Sequence, residues 1–347
     1  MFTDKIILVT GGAGSFGKVM VSKLLELGAG EVRIFSRSCG TNNNWADNER
    51  AATGTGFENP AAGKVKFIRG DVRDSKAVTE AMAGADYVVH AAAMKDVHGC
   101  ERDPQGALEV NVNGTLNVVE AAREAGVKKV VIVSTDKACF PAGVMGLTKA
   151  LMERMVLARC RGLIIEPVLS VVRFGNLMGS AGTVIPLFVK QAREGRELTV
   201  TNPDMTRFMM TVADAVDLVL IALRHGVNGD IVVERAQAAS LRTLVEGAML
   251  YAAAGASGRG APEAPAAAGP KPSVKIIGAR PGEKLYETMA TGEEMSRAVG
   301  VNSDKRLYLR IPLDGPVVDD LAEEFNSHNS PALSAADMAA IIRKLGI

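Results

Sequence analysis

The apolar run Ile6-Ile7-Leu8-Val9, closed by Thr10, passes directly into Gly11-Gly12-Ala13-Gly14-Ser15-Phe16-Gly17. Residues 18–27 then carry apolar side chains at helical spacing. A buried strand, a turn of spaced glycines and a helix, in that order, leave few folds open. Gly11-x-x-Gly14-x-x-Gly17 is a close variant of the dinucleotide fingerprint. Its glycines allow a tight turn, leave bare backbone for a pyrophosphate and set the positive end of a helix beneath it. The stretch also nearly spells a triphosphate-binding loop, from Gly12 to Lys18. Val19, however, stands where a Ser or Thr hydroxyl would meet magnesium. A dinucleotide is therefore the expected ligand, with a ligand-free glycine turn as the bland alternative.

Further strands follow at the spacing of a doubly wound sheet. Residues 31–35 form the second and end at Ser36-Arg37, where an NAD site usually places an acid. A hydroxyl and a guanidinium there suit a 2′-phosphate, so NADP is expected over NAD. Residues 39–63 read as an irregular, flexible insertion. Residues 64–68 form a third strand ending at Gly70-Asp71-Val72, with Asp71 placed to face an adenine. A helix over 75–82 is expected to be capped by Asp74 or Ser75. Residues 87–90 lead into Ala91-Ala92-Ala93-Met94-Lys95, where small side chains let a cofactor lie against the strand end and Lys95 reaches a phosphate or sugar. A long helix over 106–125 contains Asn111, and residues 169–174 form a later strand ending at Gly175-Asn176.

The β-branched run Val130-Val131-Ile132-Val133 suits a buried strand. It ends in Ser134-Thr135-Asp136-Lys137, at the edge where ligands bind in open α/β sheets. A hydroxyl, a carboxylic acid and an amine stand side by side, and residues 146–153 read as a helix returning Lys149 toward them. Alone, the quartet also fits a polar strand end with a solvated helix start.

The expected fold class is α/β, a Rossmann-like doubly wound parallel sheet with a smaller C-terminal substrate-binding domain. Residues 1–175 form the dinucleotide domain, with 205–230 returning to it. Residues 176–204 and 231–347, made of loops and short elements, form the substrate domain. Residues 252–273, rich in Ala, Gly and Pro, are a second flexible insertion.

Composition agrees with an α/β protein rather than an aromatic-rich sandwich, with 47% apolar and only 4% aromatic residues. A net charge of +1 provides no field toward nucleic acid or an anionic membrane. The early first strand leaves no room for a signal peptide, and no apolar stretch is long enough to span a bilayer. Cys39, Cys100, Cys139 and Cys160 are dispersed, with no Cys-x-x-Cys pair, which reads as free thiols in a reducing, cytoplasmic compartment. His90, His98, Cys100 and Glu101 match no standard metal spacing, so no metal is expected.

Several of these stretches, with others, occur in one order over nearly the whole chain. They are residues 10–17, Phe35-Ser36-Arg37, residues 70–74, His90 to Lys95, residues 134–138, Met145-Gly146-Leu147-Thr148-Lys149, Arg173-Phe174-Gly175-Asn176, residues 203–208 and Arg280-Pro281-Gly282-Glu283-Lys284. The ordered set resembles the extended short-chain dehydrogenase/reductase superfamily. More narrowly, it resembles the capsular-polysaccharide type of UDP-N-acetylglucosamine 4,6-dehydratase that also epimerises C5. The resemblance implies that Gly11, Gly14, Ser15, Phe16, Gly17, Ser36, Arg37, Asp71, Val72, Ala91, Ala92 and Lys149 hold NADP. It implies that Lys95, Asn176, Val184, Arg207, Arg280 and Glu283 hold a UDP-sugar. The family reaction moves hydride from C4 of the sugar to the nicotinamide, eliminates water across C5 and C6, and returns the hydride to C6.

In that frame Lys137 is the base at C5, its pKa depressed by burial near Lys149 and the oxidised ring. Asp136 is the acid at O6. The superfamily's usual Tyr is replaced by Met145, which cannot take the C4 hydroxyl proton; Asp136 or Lys137, through Thr135, is expected to cover that step. Cys139 is expected to pack rather than react. The alternatives are a retaining dehydratase, a UDP-hexose 4-epimerase, and an inactive NADP-binding sensor or scaffold. The resemblance also implies a homo-oligomer, with a hexamer among the options.

Overall fold

The structure, a computed structural model, describes residues 1–38, 63–161, 167–179, 183–255, 272–280, 282–303, 306–317, 319 and 321–347. Its strands are β1 (Ile6–Thr10), β2 (Glu31–Ser36), β3 (Val65–Arg69), β4 (Tyr87–His90), β5 (Lys129–Thr135), β6 (Val168–Phe174), β7 (Asn176–Met178) and β8 (Leu198–Val200). They continue with β9 (Thr206–Thr211), β10 (Asp230–Glu234), β11 (Ala238–Ser240), β12 (Val274–Ile276), β13 (Thr288–Ala290), β14 (Val299–Ser303), β15 (Arg306–Ile311) and β16 (Phe325–Asn326).

Nine strands form the main sheet, in the order β14-β15-β10-β6-β5-β4-β1-β2-β3. From β3 to β10 every pairing is parallel, and β15 and β14 add an antiparallel edge. Helices cover both faces of such a sheet, so its central strands are apolar throughout. Ile7, Leu8, Val9, Val88, Val89, Val130, Val131, Ile132, Val171 and Val172 are all fully buried. The chain leaves β1 toward β2 and β3, then crosses back to β4 on the other side. The switch point of the sheet therefore lies between β1 and β4, where a crevice opens outside the strand ends.

The helix after the glycine turn spans Ser15–Glu26, and Val212–His225 packs beside it. Val212–His225 begins with a reciprocal capping box between Thr211 and Asp214. The expected helix over 75–82 is present as Ser75–Met82, and Asp74 caps it by accepting from the Ala77 N–H at 3.1 Å. The expected helix over 106–125 is not uniform. Pro104–Leu108 is α-helical, Glu109–Asn113 is a π turn, and Gly114–Glu124 resumes the α-helix.

Residues 231–347, expected within the substrate domain, supply β14, β15 and all but the first residue of β10 to the main sheet. The region after β6 is also more regular than loops and short elements. Helices Val184–Arg193, Leu241–Gly255 and Ala335–Lys344 enclose a second core containing Ile185, Phe188, Leu198, Leu244, Met338 and Ile342. Residues 252–255, expected in an insertion, end the helix Leu241–Gly255, because alanine is the strongest helix former. The rest of that insertion up to 271, and residues 39–62 of the other, lie outside the described residues. Among the described residues no helix is long and apolar enough to cross a membrane.

Candidate active site

A cavity of about 510 Å³ opens at the switch point. Gly11 starts its floor with φ at +69°, and a Cβ built there would lie 2.8 Å from the Ala92 backbone nitrogen. Gly17 packs on the Gly12 backbone, with no room for a Cβ. Gly14 differs. Its Cβ would meet nothing nearer than the Gly11 carbonyl oxygen at 3.4 Å, so a methyl group there would occupy cavity rather than protein. The helix Ser15–Glu26 has no capping side chain and no acid in its first turn. Bare backbone and an uncapped positive helix end fit a pyrophosphate. Gly11→Ala is expected to destabilise the fold by about 1–3 kcal/mol, because positive φ and a backbone clash coincide. Denaturant unfolding checks it, with Gly14→Ala expected to spare stability and weaken dinucleotide binding.

Ser36, Arg37, Asp71 and Val72 line one end of the cavity, and Ala91, Ala92 and Lys95 its middle. Arg73 grips Asp71 at 2.7 Å and 3.1 Å. That hydrogen bonding, assisted by the Arg73 and Arg37 charges, holds the Asp71 carboxyl below its ordinary value against the effect of burial. Beneath the middle, His90 Nδ1 meets Thr10 Oγ1 at 2.7 Å and Nε2 meets Thr115 Oγ1 at 2.9 Å. Burial, with the Lys149 charge, pushes His90 down to about 3. It is a neutral core histidine tied to two threonines. Among the described residues no group of three or more His, Cys, Asp or Glu could hold a metal.

The π turn buries Asn111 completely. Its Oδ1 accepts from Met94 N–H at 2.8 Å, and its Nδ2 donates to Met94 O and to Thr148 Oγ1, both at 3.0 Å. This one side chain joins the loop after β4 to the helix Val144–Cys160, which carries Met145 and Lys149. Lys149 donates to Val133 O at 2.8 Å, and burial pushes its amine down to about 8 against the pull of Glu153. Met145 is buried beside Cys100 and Ala107 and still contributes to the cavity wall.

At the other end, Thr135 and Lys137 line the cavity. Asp136 is fully buried between them in sequence; its Oδ1 accepts from Thr135 Oγ1 and from Lys137 Nζ, both at 2.9 Å. Its Oδ2 has no hydrogen-bond partner among the described residues. Lys137 Nζ also donates to Asn176 Oδ1 at 3.2 Å and lies 3.6 Å from Glu287 Oε1. In the free protein Lys137 does not show the depression expected beside Lys149 and an oxidised ring. Burial pushes the amine down, but the charges of Asp136 and Glu287 outweigh it and hold the amine above its ordinary value. Lys149, expected to repel it, points instead at the Val133 carbonyl.

Cys139 is buried against Arg173, and burial raises its thiol far above the ordinary value, which makes it inert packing. Asp136, Asn176, Val184, Arg207, Arg280 and Glu283 do not line the cavity. Asn176 touches Lys137, and Arg207 is buried with Nε 3.9 Å from Glu287 Oε1. Val184 opens the helix Val184–Arg193. The backbone N–H of Arg280 donates to Glu283 Oε2 at 3.0 Å, and its guanidinium stands 3.4 Å from His98. Pro281 of that motif lies outside the described residues. Three further residues stand at the site without a role assigned from sequence: Asn111 is legible only as part of the helix 106–125, Lys284 only as the end of a motif, and Glu287 carries no recognisable signal. Lys284 and Glu287 share only an i,i+3 spacing at the end of the Arg280–Lys284 motif.

Parallel strands ordered 3-2-1-4-5-6, a glycine turn at the switch point and a lysine on the helix after β5 define an extended short-chain dehydrogenase/reductase fold. The chain belongs to the family described as polysaccharide biosynthesis protein, which matches residues 7–307. A relative from Rickettsia rickettsii named UDP-glucose 4-epimerase is 40% identical over 99% of this chain and 97% of its own length. The solved structure of Pen from Bacillus thuringiensis is 32% identical, with a TM-score of 0.82 over 99% of both chains. DesIV of Streptomyces venezuelae, a dTDP-glucose 4,6-dehydratase solved with NAD, has a TM-score of 0.65 at 24% identity, over 81% of this chain and 86% of its own.

Proposed function

We propose that the protein is an NADP-dependent UDP-N-acetylglucosamine 4,6-dehydratase that inverts C5 and yields a UDP-2-acetamido-2,6-dideoxy-4-hexulose. One observation carries this reading. A carboxyl and an amine, Asp136 and Lys137, stand in contact at the end of β5 while Met145 replaces the tyrosine of a simple 4-hydroxyl oxidation. A 4-epimerase, the activity in the relatives' names, has no use for an eliminating pair. Ser36 and Arg37 at the cavity end support NADP, since a guanidinium suits a 2′-phosphate.

Nicotinamide, when bound, supplies hydride acceptance at C4 and its return at C6. The protein's own groups then account for every proton. In the working form Lys137 is a neutral amine and Asp136 a carboxylate. The C4 hydroxyl proton passes through Thr135 Oγ1 to Asp136, whose carboxylate already accepts from that hydroxyl. The 4-keto group acidifies C5–H, Lys137 takes that proton, and Asp136, buried behind the cavity wall, returns its own through Thr135 Oγ1 to O6 as water leaves. Return of the proton from Lys137 to C5 restores the neutral amine, and the centre inverts when the planar C5 of the unsaturated intermediate turns its other face to that amine before the proton returns. The pair ends as it began.

Purified protein given NADP and UDP-N-acetylglucosamine is expected to form a 4-keto product whose proton NMR couplings report inverted C5. A D-xylo product would assign retention instead. A C4 epimer would return the protein to the activity in its relatives' names. Dinucleotide binding without turnover would make it a sensor or scaffold.

A further inference from the structure

Glu287 is a buried carboxylate that the proton scheme above does not use, and three cations converge on it. It is 2% exposed, just before β13. Lys284 Nζ lies 2.9 Å from its Oε2, without the alignment of a hydrogen bond. Lys137 Nζ and Arg207 Nε lie 3.6 Å and 3.9 Å from its Oε1. A carboxylate this deep needs compensating charge beside it, and these three cations supply it.

The backbone is built to hold it there. Glu287 N–H donates to Ser327 Oγ at 3.0 Å, and Ser327 N–H donates back to Glu287 O at 2.8 Å. Ser327 Oγ is also 2.7 Å from Thr206 Oγ1, on the residue before Arg207. Lys284 in turn donates to the carbonyls of Cys139 and Phe140 at 3.0 Å and 3.4 Å, in the turn that follows Lys137. Four separate stretches of chain are thereby tied around one carboxylate. The charged groups facing Lys137 are Asp136 from its own turn, Glu287 from the loop before β13 and Arg207 from β9, with the neutral Asn176 amide at the start of β7.

We propose that Glu287 is a positioning residue for Lys137, the counter-ion that gathers Lys137, Arg207 and Lys284 at one end of the cavity and governs whether the Lys137 nitrogen carries a proton. Its catalytic meaning rests on the dehydratase reading; its effect on the amine does not. Asp136 alone would give the ammonium one carboxylate partner. Glu287 adds a second carboxylate within 3.6 Å, so the free protein keeps Lys137 charged beside two carboxylates until the site is filled.

The test reads the amine directly. Lysines are reductively methylated with ¹³C-formaldehyde, and the Lys137 resonance, identified by its loss in Lys137→Arg, is titrated by NMR. In Glu287→Gln its midpoint is expected to fall by about 1–3 pH units, the usual effect of losing an opposite charge at this range. Glu287→Asp keeps the charge and is expected to stay near the parent value. Lys284→Met removes a competing cation and is expected to move the midpoint up. An unmoved midpoint in Glu287→Gln, with the other methyl-lysine signals in place, would overturn the proposal. So would a downward move in Lys284→Met, which also decides the matter if Glu287→Gln does not fold. In turnover, the acid limb of the pH profile is expected to follow the NMR shift. An NMR shift in a protein that makes no 4-keto sugar would leave the counter-ion role standing and remove the dehydratase reading.

Discussion

Lys137→Ala is expected to reduce 4-keto sugar formation by about 10²–10⁴-fold, the usual contribution of a positioned acid or base. Dinucleotide binding is expected to survive, because the Lys137 nitrogen contacts Asp136, Asn176 and Glu287 and none of the glycine turn. Fluorescence titration with NADPH beside a product assay separates the two effects. Alanine also removes charge from beside two buried carboxylates, so lost activity alone could report a disturbed site. Lys137→Arg answers that. It keeps the cation and the ion pairs but cannot become a neutral base at any working pH. Equal loss in both variants assigns the proton transfer to Lys137; substantial turnover in the arginine variant would remove it from the role. The pH dependence has a fixed sign. The free amine is held above its ordinary value, and the working form is neutral. Turnover should therefore rise with pH across the neutral range, the rise disappearing in Lys137→Arg.

The glycine turn that floors this cavity was legible because its determinants are local. Gly11, Gly14 and Gly17 lie in one turn, and their glycine identity follows from positive φ, open cavity and close packing within a few residues. Thr135, Asp136 and Lys137 could be placed because a strand of β-branched residues ends at them. The charge state of Lys137 was not legible. It depends on Glu287, which reaches it across 150 positions of sequence, and a glutamate in a loop carries no periodicity. The second core escaped for a related reason. Leu241–Gly255 ends in an alanine run that merges in composition with the stretch after it, so the helix shows itself through Val184–Arg193 and Ala335–Lys344 packed along it. The π turn at Glu109–Asn113 is likewise invisible in a helical pattern, yet it is what turns Asn111 inward.

Arg173→Met is expected to cost about 3–5 kcal/mol of folding stability at pH 7, the usual penalty for breaking a buried ion pair by removing one partner. Arg173, itself buried, meets Glu153 at 2.6 Å and Glu294 at 2.8 Å, and Ser134 donates to the same Glu153. Met has a similar reach and no charge, so two buried carboxylates would lose their common cation. Denaturant unfolding reads the loss, and its pH dependence identifies the cause. In the parent protein, burial raises Glu294, but Arg173 and the Thr291 N–H together hold it below its ordinary 4.5. Its stabilising contribution is therefore present above that value and lost as the pH falls through the depressed one. In Arg173→Met the uncompensated carboxylate binds its proton more readily folded than unfolded, so the variant gains stability as the pH falls toward 4.5, before the parent begins to lose its own below that value. The two stability curves should converge below about pH 4.5, where the unfolded group protonates. A gap that stays constant with pH would make the loss one of packing volume. Adding Glu153→Gln and Glu294→Gln to Arg173→Met should restore part of the stability, since no buried charge is then left alone. Arg173 also donates to Met289 O at 3.1 Å, two residues from Glu287. The restored variant should therefore still bind dinucleotide at the glycine turn while its Lys137 titration departs from the parent's, because the loop carrying the counter-ion has lost its anchor.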